Sequence, residues 1–574
     1  MKFIKPRTLR PFLVVFALLL VVSVSFASTG DNDNSSWTRD DAAHLLRRAG
    51  FGGTPVQIDR LHDLGKVGAV DYLISGKLPA GAVAPFDHVD LEPFKTDGSI
   101  DLRQGPERQF EIMKLRGWWI DRMIRTDRPL EEKMSLFWHG LFTSGIRECK
   151  VPRWMVEQNE LFHKQAIGNY ERLTFQVIHG SAMLKYLNNH ENIKGHPNEN
   201  LARELMELFT MGEGNGYTEA DIGQVARALT GLTPRRPQMG GSAVLIPMRH
   251  DTGIKTIFGQ SGNFGPNDVV KLIFSRQYPA DYLAKRLWVF FGTPDPQPQD
   301  VEMVAHALRS SGWELAPALR AMFLSPDFYS SACKFTVIKS PIDLEVGTVR
   351  MLEEPSDERL AFAISAGARQ LGEDLFQPPN VKGWPGGEHW ITSAGIYTRY
   401  NIATAMANGI YGANAFNRPR DFNPKAQQKA AQKNLNAPND ASAQATTASA
   451  VINAAPDNSN NSKRAARREA KQEQAQQQRQ KIMQELRDMP PMPAPSEMVQ
   501  PAKLFPQFTK KTEASKVVDA AISRFLQQPV AADKRQVLVD AIGNEPLTLG
   551  QASSDRRVRQ MLGLLMSTPE YQME

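Results

Sequence analysis

The stretch Asn198-Glu199-Asn200-Leu201-Ala202-Arg203-Glu204-Leu205-Met206-Glu207-Leu208-Phe209 decides the fold class. At about 100° per residue, Leu201, Leu205, Leu208 and Phe209 share one face, and Glu199, Asn200, Arg203, Glu204 and Glu207 share the other. This period predicts an amphipathic helix capped by Asn198 and leaving at Gly212. Three glycines follow (Gly212, Gly214, Gly216), then Tyr217-Thr218-Glu219-Ala220-Asp221. Thr218 and Asp221 have capping-box spacing, which predicts a second helix ending at Gly231.

Helical periodicity extends outward from this unit. Ala42, Ala43, Leu45, Leu46 and Ala49 form one apolar stripe, and residues 107–126 and 129–144 repeat apolar side chains at three and four. Residues 232–266 break the pattern. They are rich in Gly and Pro around a short apolar run, Ala243 to Ile246, and predict a hairpin or a long irregular loop. The expected fold is mainly α: one large irregular helical domain over residues 37–412.

Residues 413–512 change character, with Ala, Asn, Gln, Ser and Pro dominant and few aromatics. Such a segment buries too little apolar area to offset chain entropy, so it is expected to be a disordered, low-complexity insertion. Within it, 463–487 suits a lone solvated helix and Met489 to Pro506 an extended chain. Helical patterning resumes at 515–527, 533–542 and 554–566. Residues 513–574 are too few for a core of their own and are expected to pack back onto the main domain.

The chain has 574 residues and a formal charge of +6. Residues 1–27 hold Lys2, Lys5, Arg7 and Arg10 and no acid, and 463–487 holds eight basic residues against three acidic ones. The remainder is slightly acidic. No cationic footprint is left for nucleic acid, which is not expected as a partner. Residues 1–27 read as a cleavable signal peptide, with a basic start, the apolar run Phe12 to Val22, and Ser25-Phe26-Ala27 as the cleavage site. The expected location is the periplasm or the medium, with no membrane span after cleavage. Cys149 and Cys333 would then meet an oxidising space, either bridged or as two separate buried thiols.

The densest polar constellation is Asn188 to Glu207. On one reading Glu199, Arg203 and Glu207 are ordinary helix ion pairs and Asp221 is a cap. On the other, Glu199, Glu204, Asp221, His190 and His196 converge on a divalent metal, for which carboxylates and imidazoles are suitable ligands. Arg203 would bind substrate there. No zinc-binding helix motif is complete, because Asn200 stands where His196-Pro197-Asn198-Glu199 would need a second His. His139 and the adjacent His250-Asp251 are candidates for proton transfer. Trp384 and Trp390, in a glycine-rich loop, could offer flat faces to a sugar ring. Walker, dinucleotide-binding and nucleophile-elbow motifs are missing.

Several of these segments occur in a fixed order: His44-Leu45-Leu46-Arg47-Arg48-Ala49-Gly50-Phe51-Gly52, Phe137-Trp138-His139-Gly140-Leu141-Phe142, Asn198 to Gly212, Tyr217 to Asp221, Ala226-Arg227-Ala228-Leu229-Thr230-Gly231, His250-Asp251, and Asn380-Val381-Lys382-Gly383-Trp384-Pro385-Gly386-Gly387. The set resembles the bacterial domain of unknown function 1800 family. The closing Leu564 to Tyr571 is similar to that family's end. The resemblance implies a largely helical exported protein. It also implies a co-encoded exported neighbour similar to sulfatases. It supplies no activity, cofactor or catalytic residue.

Two functions are consistent with this reading. One is a metal-assisted hydrolase acting on an extracytoplasmic polymer such as an anionic polysaccharide. The other is a non-catalytic binding or assembly partner of the co-encoded protein.

Overall fold

A computed structural model describes residues 37–77, 106–236, 241–411 and 499–574, with single positions at 477, 480 and 484. The leader 1–27 and most of the low-complexity insertion lie outside the described residues, as does the helix expected at 463–487 apart from the helical positions 477, 480 and 484. What is described is mainly helical, with four short strands in two antiparallel hairpins.

The helices form where the periodicity places them. Arg39–Arg48 opens on a capping box between Thr38 and Asp41. Pro106–Arg125, Pro129–Leu141, Ala532–Ile542 and Ala552–Met566 match the expected segments within a few residues. Proline at the first turn starts many of them, where its missing N–H costs nothing. The 232–266 excursion makes both hairpins: Leu232–Thr233 pairs with Val244–Leu245, and Lys255–Ile257 with Gln260–Gly262.

Two apolar cores are present. One joins the first helices to residues 130–333. The second is built from residues 51–411 and completed by Val499, Leu504 and Phe505 together with the helices of 514–571. Helix Ser393–Ala407 packs on Ala552–Met566, and Glu358–Gln370 on Pro106–Arg125. In the latter contact Gly117 lets the Phe362 ring approach so closely that a Cβ would lie 2.4 Å from it. At the insertion's end the structure departs from expectation. Residues 499–512 belong to the fold, with Val499, Leu504 and Phe505 buried and a short helix at Pro501–Leu504 against Ala552–Met566. Three apolar anchors hold this segment together with Arg559 on the Val499 carbonyl, Arg524 on the Leu504 carbonyl and the Thr512–Leu547 bridge.

Helix Pro341–Leu352 is buried along its whole length; burial raises Glu345 well above its ordinary pKa, and the other two charged residues find partners inside. Asp343 takes an ion pair from Lys133, and the Arg350 guanidinium donates to the carbonyls of Met123, Ile124 and Thr126. Close by, Glu574 pairs with Arg48, which also donates to the carbonyls of Phe290 and Phe291. Asp343 and Glu574 also line, with Arg47, Lys339 and Glu570, a cavity of about 10 Å³, the least that holds one water. Cys149 and Cys333 are both buried and unbridged.

Candidate functional site

The decisive helix begins as expected and then widens. Asn200–Glu204 is α-helical, but Leu205–Thr210 is a π-turn, in which backbone bonds skip one residue further. Thr210 Oγ1 donates to the Leu205 carbonyl at 2.5 Å. Two distant tyrosines satisfy carbonyls the wide turn exposes: Tyr170 donates to Phe209 O at 2.5 Å and Tyr282 to Leu208 O at 2.6 Å. Asn198 does not cap by the usual geometry; its Oδ1 accepts from Asn200 N at 3.0 Å, and the cap position is Glu199.

Arg203 is the hub of the polar face. It holds Glu219 with two bonds, at 2.9 and 2.8 Å, and reaches Glu199 and Glu207 at 3.2 Å each. The bidentate Glu219 raises the guanidinium above its ordinary range and holds the Glu219 carboxyl below its own. Asp221 is a cap. One oxygen accepts from Thr218 N and Oγ1, and the other from Phe258 N at 2.7 Å. His190 Nε2 lies 3.0 Å from Lys185 Nζ, and burial and that ammonium keep the imidazole below its ordinary pKa. His196 is exposed on the turn before the helix. Among the described residues no three His, Cys, Asp or Glu side chains gather as a metal site. The five expected ligands are therefore not brought together among the described residues: Asp221 is used as a cap, Glu199 pairs with Arg203, His190 faces Lys185 and His196 faces solvent.

The proton-transfer candidates are also occupied separately. His250 Nδ1 lies 2.8 Å from the Thr230 carbonyl. Asp251 does not orient it. Asp251 accepts from Arg227 at 2.8 Å and from Gly253 N at 2.8 Å, and Arg227 holds its pKa at about 2. His139 is buried, its Nε2 accepting from Phe376 N at 3.1 Å, with Trp119, Phe376 and Trp384 around the ring. Burial pushes it down to about 3, so it is a neutral acceptor within the fold. Trp390 is 6% exposed and has no face to offer a sugar. Trp384 is half-buried, edge-on to His139 at 5.3 Å.

The fold does bring three sequence-distant motifs together. Gly383, at φ +81°, sits directly on the backbone after His139: a Cβ there would lie 2.2 Å from Gly140 O. The neighbouring Lys382 Nζ lies 3.8 Å from Glu213 Oε2, in the glycine loop after the π-turn. Lys382 also acts electrostatically on Glu204, which burial and Glu207 raise above its ordinary pKa. No hydrogen bond of the described residues engages the Glu204 carboxylate. Tyr186, pushed up to about 12 by burial and by the charges of Glu148, Cys149 and Glu204, completes this rim. On its far side Gln377 donates to Glu148 at 3.3 Å and accepts from Arg147 N at 2.9 Å. The sequence reading named Glu204 and Trp384 but missed Lys382, Glu213, Tyr186 and Gln377 as site residues. Lys382 lay within the quoted glycine-tryptophan motif; Tyr186 carried no signal.

The described residues thus form a helical body with a charged rim assembled from segments distant in sequence. The chain belongs to the family described as a protein of unknown function (DUF1800), which matches residues 44–573. No curated protein and no solved structure matches it.

Proposed function

We propose that this chain is a non-catalytic binding or assembly protein, and that it works outside the cytoplasm on the co-encoded sulfatase-like protein that the family resemblance implies. The observation that supports this reading is the separate engagement of nearly every candidate catalytic or metal-binding side chain in a cap, an ion pair or a backbone bond. What stays available is a surface to which one helix and two loops contribute: Glu204 from the helix Asn200–Glu204, Glu213 from the glycine loop, and Lys382 with the half-buried Trp384 from the glycine-tryptophan loop. Aromatic and charged groups set together on rigid supports are suited to recognising a protein partner.

The test is co-expression of the two proteins and co-purification through a tag on one. A complex is expected. Lys382→Glu, on an exposed side chain, should weaken it by about tenfold or more with unchanged thermal unfolding. Failure of the two proteins to associate, or indifference to charge reversal at Lys382 and Glu204, overturns the reading.

One observation favours a second reading, hydrolysis of an extracytoplasmic polymer without a metal. Glu204 is a half-buried carboxyl of raised pKa beside Glu207, as a general acid needs. If so, Glu204→Gln abolishes release of reducing ends from anionic polysaccharides while the fold survives.

A further inference from the structure

The 232–266 excursion carries a feature that the rim does not use. Met248 is 93% exposed and Ile254 66%, and Val244 and Leu245 on the first hairpin are also open to water. Four such side chains fall between residues 244 and 254, and this exposed apolar stretch is the excursion's tip. Backbone bonds fix its shape: Ile246 N donates to Gly231 O at 2.9 Å, Arg249 N to Ile246 O at 2.9 Å, and Lys194 N to Arg249 O at 2.8 Å.

Cations lie on the same excursion, at Arg235, Arg236 and Arg249, and at Lys194, whose backbone bonds to it. Lys194, Arg235 and Arg236 are exposed, and Arg249 is half-buried with one nitrogen on the His190 carbonyl. Among the described residues none of these four has an acidic partner within ion-pair distance. The excursion's single acid, Asp251, is held by Arg227, and the nearby Glu191 faces His190 at 3.6 Å. Elsewhere on this surface arginines are commonly paired, as Arg203, Arg309 and Arg320 are.

We propose that this tip is a membrane-docking surface that seats Met248 and Ile254 among the acyl chains of a bilayer bearing anionic phospholipid headgroups. Protruding apolar side chains dip below the headgroup level, while arginine and lysine reach the phosphates with their charged ends. Charge complementarity selects the occupant: among the described residues the cations lack acidic partners, and an anionic bilayer supplies them continuously. The proposal does not depend on the rim's partner.

The experiment uses the full chain with Met248→Cys labelled by an environment-sensitive fluorophore. Cys149 and Cys333 are buried, so labelling falls on the new thiol. Vesicles of equal parts phosphatidylglycerol and phosphatidylcholine should shift the emission to shorter wavelength, and phosphatidylcholine alone should not. A second preparation carries Arg235→Glu and Arg236→Glu as well, and should need about tenfold more lipid or greater for half the shift. The leader, common to all preparations, can bring the chain to a vesicle but cannot place this probe in lipid. No shift on the anionic vesicles overturns the proposal. So does an equal shift on both vesicle types, or an equal shift with a soluble anionic polysaccharide, which would assign the tip to a polymer instead.

Discussion

His139 shows what a single side chain contributes here. Its Nε2 is the acceptor for the Phe376 amide, deep among aromatic rings. Replacing it by Phe keeps a ring but strands that N–H, at about 1–3 kcal/mol, read as a lower urea midpoint near neutral pH. The pH dependence has a definite sign. The folded imidazole titrates at about 3, against 6.5 ordinarily, because burial disfavours its charge. Below about pH 6.5 the unfolded chain takes up a proton that the folded chain refuses, so stability falls as pH drops towards about 3. His139→Phe should flatten that part of the stability–pH curve. At this scale the sequence was readable where interactions are local. The Thr218–Asp221 cap and the Glu199–Arg203–Glu207 pairs follow from spacing alone. Whether His250 or Asp221 would reach a shared ion depended on neighbours such as Arg227 and Phe258, which sequence spacing does not reveal.

Among the elements, the helices were legible and the π-turn was not. Leu201, Leu205 and Phe209 are all buried, as the amphipathic period requires. The widened turn at Leu205–Thr210 leaves carbonyls that hydroxyls 39 and 74 residues away satisfy, and no local pattern encodes such partners. Tyr282→Phe removes one of them and should cost about 1 kcal/mol in chemical denaturation. It should also speed amide exchange at Met211, whose N–H bonds Met206 O within that turn. If protection at Met211 is unchanged, the tyrosine does not hold the turn open. The end of the insertion is illegible for a related reason: Val499, Leu504 and Phe505 look weak beside the prolines and are anchored by distant partners, among them the helix Ala552–Met566 and the Arg524 guanidinium on the Leu504 carbonyl.

At the scale of the whole molecule, the mainly helical class was visible from periodicity, and the mutual dependence of its two ends was not. Arg48 and Glu574 form a buried pair, with Lys133 and Asp343 beside it. Glu574→Gln leaves the Arg48 charge in a dry interior and should cost about 3–5 kcal/mol, measured as a loss of thermal and urea stability. A loss below about 1 kcal/mol would mean that the carbonyls of Phe290 and Phe291 satisfy the guanidinium without it. This pair also sets a timetable for biosynthesis. Its members stand 526 residues apart, and a ribosome adding about 5–20 residues per second takes roughly half a minute to two minutes to make the second after the first. Throughout that interval the nascent chain carries an unanswered cation and an open half-core, so it stays pliable.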